Sequence, residues 1–246
     1  MKQLFFLILP ILLLTSACSD SLDADRGADA GESAALQARV DALKTRLGKI
    51  RDANDIKRLQ RSFGYYMEEA LWDEVAALFA EDATIEWARN GVYRGRNRIR
   101  EFLYALNSGE QGLREGQLKE YLQLMPVVTL SEDGSTAKAR WRAIMLTGQY
   151  GEQALWGEGP FENEYVREDG IWKISRLHWH QSILVPYAGG WARHEDVNHG
   201  VWVSDTLPPD AAPTYDEGWW PTTFLPPFSF ANPVGRYNPA SAGARP

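Results

Sequence analysis

The chain has 246 residues, a formal charge of −7 at neutral pH and one cysteine. The charge excludes an electrostatic nucleic-acid binder, which needs a basic face, and the lone thiol excludes a fold held by disulfides. Ten Trp, ten Tyr and nine Phe make the chain 12% aromatic; some of these rings belong to a core, and so many also suit an apolar or aromatic ligand pocket.

The N-terminus reads as a secretory signal over residues 1–17: Lys2 supplies the positive start, Leu4 to Leu14 an apolar run too short for a permanent span, and Thr15-Ser16-Ala17 small residues before Cys18. Leu14-Thr15-Ser16-Ala17-Cys18 resembles a bacterial lipobox, which implies cleavage before Cys18 and lipidation of its thiol. Ser19 follows, not an acidic residue, so the resemblance implies an envelope lipoprotein on the outer membrane, facing the periplasm. Residues 18–34 are rich in Asp, Ala and Gly without an apolar period and read as a flexible tether.

Residues 35–53 carry Leu36, Val40, Leu43, Leu47 and Ile50 at alternating four- and three-residue steps, the seam of a coiled-coil-like helix. Such a helix pairs with a second copy or folds back on its own domain. Asp52-Ala53-Asn54-Asp55 breaks the phase, and Asn54 or Asp55 is placed to cap a new helix with Ile56, Leu59, Phe63 and Tyr66 on its apolar face. A short helix from Trp72 to Phe79, a strand from Ala83 to Ala88, a turn at Asn90-Gly91 and a helix from Arg96 to Leu106 follow. Four strands then run over Leu122–Leu130, Ala137–Thr147, Leu155–Arg167 and Ile171–Val185, separated by turns that include Glu132-Asp133-Gly134 and Glu168-Asp169-Gly170. Helices first and long antiparallel strands after them give an α+β class. Residues 187–246 combine many prolines with Trp and Phe and no period, the mark of an irregular extension that wraps the domain, closes a pocket or packs on a partner.

Residues 54–186 resemble the SnoaL-like branch of the nuclear transport factor 2-like superfamily. The resemblance rests on Ile56-Lys57-Arg58-Leu59 leading to Phe63-Gly64-Tyr65-Tyr66, and on Leu71-Trp72-Asp73-Glu74-Val75-Ala76-Ala77-Leu78-Phe79-Ala80-Glu81-Asp82-Ala83. It continues in Gly95-Arg96, Ala137-Lys138-Ala139-Arg140-Trp141-Arg142 and Gly170-Ile171-Trp172-Lys173-Ile174. It implies a cone, a curved mixed sheet wrapped around three helices with an apolar pocket at its open end, and chemistry without a metal or organic cofactor. A fold of this kind hosts many functions, so the site has to be argued separately.

His178 and His180 stand two apart in the last strand and so share a face. If that face continues from Trp172, Ile174 and Arg176 it lines the pocket, and two imidazoles there can act as acid and base near neutral pH; a bulge would change the phase. The competing reading is a hydrogen-bonded structural pair. Glu68 stands where the resemblance places an acidic group at the pocket end of the first helix. Tyr65 and Tyr66 are candidate pocket aromatics, and the resemblance implies the same of Trp87 and implies polar anchors at Arg142 and Asn163, although Arg142 also has Glu158 and Glu162 within cross-strand reach. His194 and His199 follow the pair, yet His194-Glu195-Asp196-Val197-Asn198-His199 is one residue too long for a zincin helix, and no metal is assigned.

Together with these residues, the resemblance implies a lyase or isomerase that removes a proton from a small hydrophobic, aromatic molecule and eliminates water or an aldehyde or shifts a double bond. The alternative is an envelope lipoprotein that holds such a ligand without converting it. The expected partners are that small molecule, a membrane through the lipid on Cys18, and further copies of the chain as a dimer or trimer.

Overall fold

The computed structural model describes residues 19–190, 192, 207–214 and 226–231. The signal peptide expected at 1–17, Cys18, and His194 and His199 lie outside the described residues. The elements are α1 (Ser19–Glu68), α2 (Trp72–Ala77), β1 (Phe79–Trp87), β2 (Val92–Arg94), α3 (Arg96–Ala105), β3 (Gln117–Leu130), β4 (Thr136–Gln149), β5 (Gln153–Glu168), β6 (Ile171–Trp179) and β7 (Ile183–Pro186). The sheet order is β2-β1-β6-β5-β4-β3, with β7 on β5. β1 and β6 run parallel and the other pairs antiparallel, which makes the sheet mixed and the class α+β.

Two expectations about the first helix are corrected. α1 already begins at Ser19, where a flexible tether was expected, and it continues through Asp52–Asp55, where a break was expected. Four Asp and four Ala among residues 19–34 tolerate a helix, and acidic residues near an N-terminus suit its dipole. Neither Asn54 nor Asp55 starts a new helix, since both lie inside α1; just before them Asp52 Oδ1 accepts from Trp172 Nε1 at 3.0 Å and faces Arg167 Nη1 at 3.2 Å.

The core-facing positions of α1 are Ile56, Gln60, Phe63 and Met67, all inaccessible to solvent, at the 4-3-4 spacing of one helical face. Against them pack Val75 of α2, Ile99, Phe102 and Leu103 of α3, and the inward residues Trp141, Phe161, Tyr165, Ile174 and Trp179 of the sheet. Gln60 is the polar exception. Its Oε1 accepts from Tyr165 Oη at 2.8 Å and Asn163 Nδ2 at 3.0 Å, and its Nε2 donates to Gln123 Oε1 at 2.9 Å, so no polar atom of its amide is wasted.

Two bulges bend the sheet and reverse its inward parity. In β3 the register shifts between Leu124 and Val127, with Met125 at φ 51°; Tyr121 is buried before the shift, while Val128 and Leu130 pack on the core after it. In β6, Tyr165 pairs with Ile174 but Glu164 pairs with Arg176, so Ser175 is the extra residue. Trp172 and Ile174 face inward before it, Leu177 and Trp179 after it.

The expected last strand, Ile171–Val185, is two. β5 pairs with β6 over Phe161–Glu168 and with β7 over Leu155–Glu158, and the chain crosses between them at Gly159. A β-carbon on Gly159 would collide with the His180 carbonyl oxygen, so only glycine permits this approach. Asp169 and Gly170, at φ 50° and 80°, form the tight turn from β5 to β6 that Asp-Gly favours.

The described parts of the C-terminal extension lie on this domain. Ala211 bridges Val92, Arg94 N donates to Asp210 Oδ2 at 2.8 Å, and Tyr93 Oη donates to the Leu207 carbonyl at 3.0 Å. These contacts lengthen the short edge strand β2 and cover its free backbone groups.

Candidate functional site

β3 begins at Gln117, five residues before the expected Leu122, and this earlier start builds the site. Lys119 and Tyr121 share the inward parity of the strand. Both line a cavity of about 560 Å³ at the open end of the sheet, together with Leu106, Arg114, Met145 and Leu155. An adjoining, mostly apolar cavity of about 610 Å³ shares Leu118 and Leu155 and adds Leu146, Tyr150 and Tyr187.

The Lys119 ammonium lies 5.7 Å from the centre of the Trp72 ring. Burial, and then the like charge of Arg114, push its pKa down to about 8. No carboxylate among the described residues pairs with it. Such an amine is part neutral near physiological pH and able to accept a proton. Tyr121 is buried against Trp87, ring centres 6.0 Å apart, and burial pushes its hydroxyl pKa up. It therefore stays protonated, a donor for developing negative charge. Behind Tyr121 the interior is filled: Trp87 packs on Trp179 at 4.7 Å and Phe161 at 5.8 Å, and Phe63 meets Phe161 edge-on at 6.1 Å.

The histidines do not reach this cavity, which corrects the expected wall of the pocket. The bulge at Ser175 reverses the parity of β6, so Leu177 and Trp179 face in and Arg176, His178 and His180 face the outer side of the sheet. There the two imidazoles stack, centres 3.7 Å apart, beneath Thr214, Pro226, Pro227 and Ser229. Arg176 Nη2 lies 3.1 Å from His178 Nδ1; arginine can only donate, so Nδ1 accepts and the ring hydrogen sits on Nε2, 3.5 Å from Glu86 Oε2. Burial is the main reason both rings are hard to protonate, with pKa values near 3 for His178 and near 2 for His180; neither titrates near neutrality.

Glu86, on the same buried face, accepts from Thr214 N at 2.6 Å and from Thr214 Oγ1 at 2.7 Å. Arg140 Nη1 donates to Glu162 Oε1 at 2.5 Å and to the Pro226 carbonyl at 3.0 Å, with its guanidinium over the Phe228 ring. This outer cluster fastens the C-terminal extension to the sheet. The two histidines of this strand meet here, on the outer face, and not in the cavity at Lys119.

The other expected residues separate in the same way. Glu68 accepts from Tyr121 N at 3.1 Å and lines a smaller cavity of about 240 Å³ with Arg61, Tyr65 and Gln123; burial is the main cause of its raised pKa. It touches the backbone of a site residue and is not brought together with the histidines. Tyr65 is 68% exposed, while Tyr66 packs at the edge of the core. Trp87 is core and meets the site through Tyr121. Arg142 faces outward and pairs with Glu158, so it is not a pocket anchor. Asn163 is no anchor either: its Nδ2 is given to Gln60 and Tyr165 and its Oδ1 accepts from His178 N at 3.2 Å, which satisfies an amide at the bulged strand.

Lys119, Tyr121 and Arg114 were missed by sequence reasoning. The available signal was the alternation of Gln117, Lys119, Tyr121 and Gln123, a strand face with polar groups at each inward step, hidden by starting the strand at Leu122. Among the described residues no three His, Cys, Asp or Glu side chains are grouped for a metal ion, and no helix is long and apolar enough to cross a membrane.

The SnoaL-like domain family matches residues 48–178, 131 of the 246. Among solved structures, a candidate scytalone dehydratase from Novosphingobium aromaticivorans is similar at 18% identity and a TM-score of 0.51, over 64% of this chain and 96% of that one. A hexachlorocyclohexane dehydrochlorinase, LinA type 2, is similar at 17% identity and a TM-score of 0.51, over 62% and 98%. The type 3 enzyme from Novosphingobium barchaimii gives 16% identity and 0.51, over 58% and 95%. The match over residues 48–178, on a curved mixed sheet packed against α1, α2 and α3, makes this chain a member of the SnoaL-like family within the nuclear transport factor 2-like superfamily.

Proposed function

We propose that the protein is a cofactor-independent lyase or isomerase acting on a small hydrophobic molecule at the mouth of the cone, with Lys119 as proton acceptor and Tyr121 as hydrogen-bond donor. One observation carries this reading: a partly buried lysine, without a carboxylate partner among the described residues, opens into a cavity large enough for a ring-bearing molecule. Neutral Lys119 takes a proton from a carbon next to a carbonyl, and Tyr121 stabilises the charge that develops on the carbonyl oxygen. In an elimination, the C–H electron pair becomes the new double bond and the leaving group departs with its own bonding pair. The proton stays on Lys119 until solvent takes it. The dehydration and dehydrochlorination named for the similar structures share only the elimination itself, loss of a proton and a leaving group from neighbouring carbons.

The purified chain would be incubated in D2O with hydrophobic cyclic ketones, some carrying a β-leaving group, and deuterium uptake or loss of the leaving group followed by mass spectrometry. Turnover that rises as pH approaches 8 and vanishes in Lys119→Met supports the proposal. Unchanged turnover in that variant sinks it; binding without exchange favours the non-catalytic ligand carrier. Export and lipid attachment at Cys18 form part of the same reading, supported by the pattern of residues 1–18. Mass spectrometry of the mature N-terminal peptide tests it, an unmodified Cys18 being the adverse result.

A further inference from the structure

Along α1, Leu36, Val40, Leu43, Leu47 and Ile50 form a stripe whose members are between 43% and 60% exposed. Its two residues per heptad match the narrow seam of a coiled coil. An interfacial membrane helix has a wider apolar face with aromatic anchors, and this stripe has no aromatic residue. With Val40 and Leu47 at the a positions and Leu36, Leu43 and Ile50 at d, the flanking e and g positions over residues 36–51 are Gln37, Arg39, Lys44, Arg46 and Arg51, all exposed. None is acidic. Asp41 lies at b, where it reaches back to Gln37 and lies 3.6 Å from Lys44; Glu32 precedes the stripe.

A second copy is a poor occupant. In a parallel pair Arg39 would face the Lys44 position and Arg46 the Arg51 position, twice each by symmetry. An antiparallel pair would set the same basic positions against one another. Charge at e and g selects partners by such repulsions as well as by attractions. We infer that the stripe from Leu36 to Ile50 docks a helix of a different protein, one with apolar a and d residues and Glu or Asp along both flanks.

The test uses the full chain and two synthetic four-heptad peptides, each with Leu at a and d, one with Glu and the other with Lys at e and g. The Glu-flanked peptide should bind, more weakly as salt rises, and Leu43→Lys should abolish binding. The combined variant Arg39→Glu, Lys44→Glu, Arg46→Glu and Arg51→Glu should lose about tenfold in affinity for the Glu peptide and gain the Lys peptide. Circular dichroism would establish that these variants remain helical. Self-association of the parent that Leu43→Lys removes, binding to phosphatidylglycerol vesicles but to neither peptide, or no binding at all would each overturn the inference.

Discussion

Replacing Lys119 by methionine keeps the length of the side chain and removes its charge. Burial and Arg114 lower the lysine pKa from 10.5 to about 8, so the folded chain holds this proton less tightly than the unfolded chain. Between about pH 8 and 10.5 the unfolded state is protonated and the folded state is not, and stability rises with pH across that window. Below about pH 8 both states carry the proton and the full penalty is present. A displacement of this size corresponds to roughly 3 kcal/mol; part of the side chain touches solvent, which brings the working figure to about 2 kcal/mol. Lys119→Met should therefore be more stable than the parent by about 2 kcal/mol at neutral pH, with an advantage that shrinks toward pH 10.5. Urea denaturation of both proteins across this range gives the difference directly, and every other titrating group cancels. A variant less stable than the parent at neutral pH, or an advantage independent of pH, refutes the reasoning. A gain in stability with a loss of turnover would mark a residue kept for function at the expense of the fold.

Asn163→Leu strands the buried His178 amide and removes one of the two donors to the Gln60 carbonyl, Tyr165 Oη remaining, and should lower stability by about 1–3 kcal/mol in the same denaturation experiment; a loss below about 0.5 kcal/mol would mean that the bulge does not need this pin. Thr214→Val removes the hydroxyl donor to Glu86 and should destabilise the attachment of residues 207–214 by about 1–2 kcal/mol, seen as faster amide exchange there with β1 unaffected. His178 and His180 should stay neutral in NMR titrations well below pH 6.5. Because the unfolded chain protonates them first, they should contribute a loss of stability as pH falls below that value. An imidazole titrating near 6.5 would show that the extension does not seal this face.

The family was legible because it rests on short-range patterns: the Ile56–Phe63 helix face, the Trp72-Asp73-Glu74 start of α2 and the Asp169-Gly170 turn. Each is written in neighbouring residues, and the structure keeps all three. The candidate site was not legible in this way. Which face His178 presents depends on one extra residue, Ser175, that only pairing with β5 reveals. Asn163 looked like a ligand anchor because its partner Gln60 lies more than a hundred residues earlier in the chain. The pairing of Arg142 with Glu158 was within reach of strand alternation alone, since both lie on adjacent strands without an intervening bulge. The sequence by itself determined composition, helix faces, turns and the α+β order, all properties of local spacing. Only the tertiary structure decided which side of the sheet the polar groups beyond a bulge face, because a single bulge reverses parity for every residue beyond it. The reversal at Ser175 turned the histidines toward the C-terminal extension, while Lys119 and Tyr121, ahead of the bulge in β3, line the cavity.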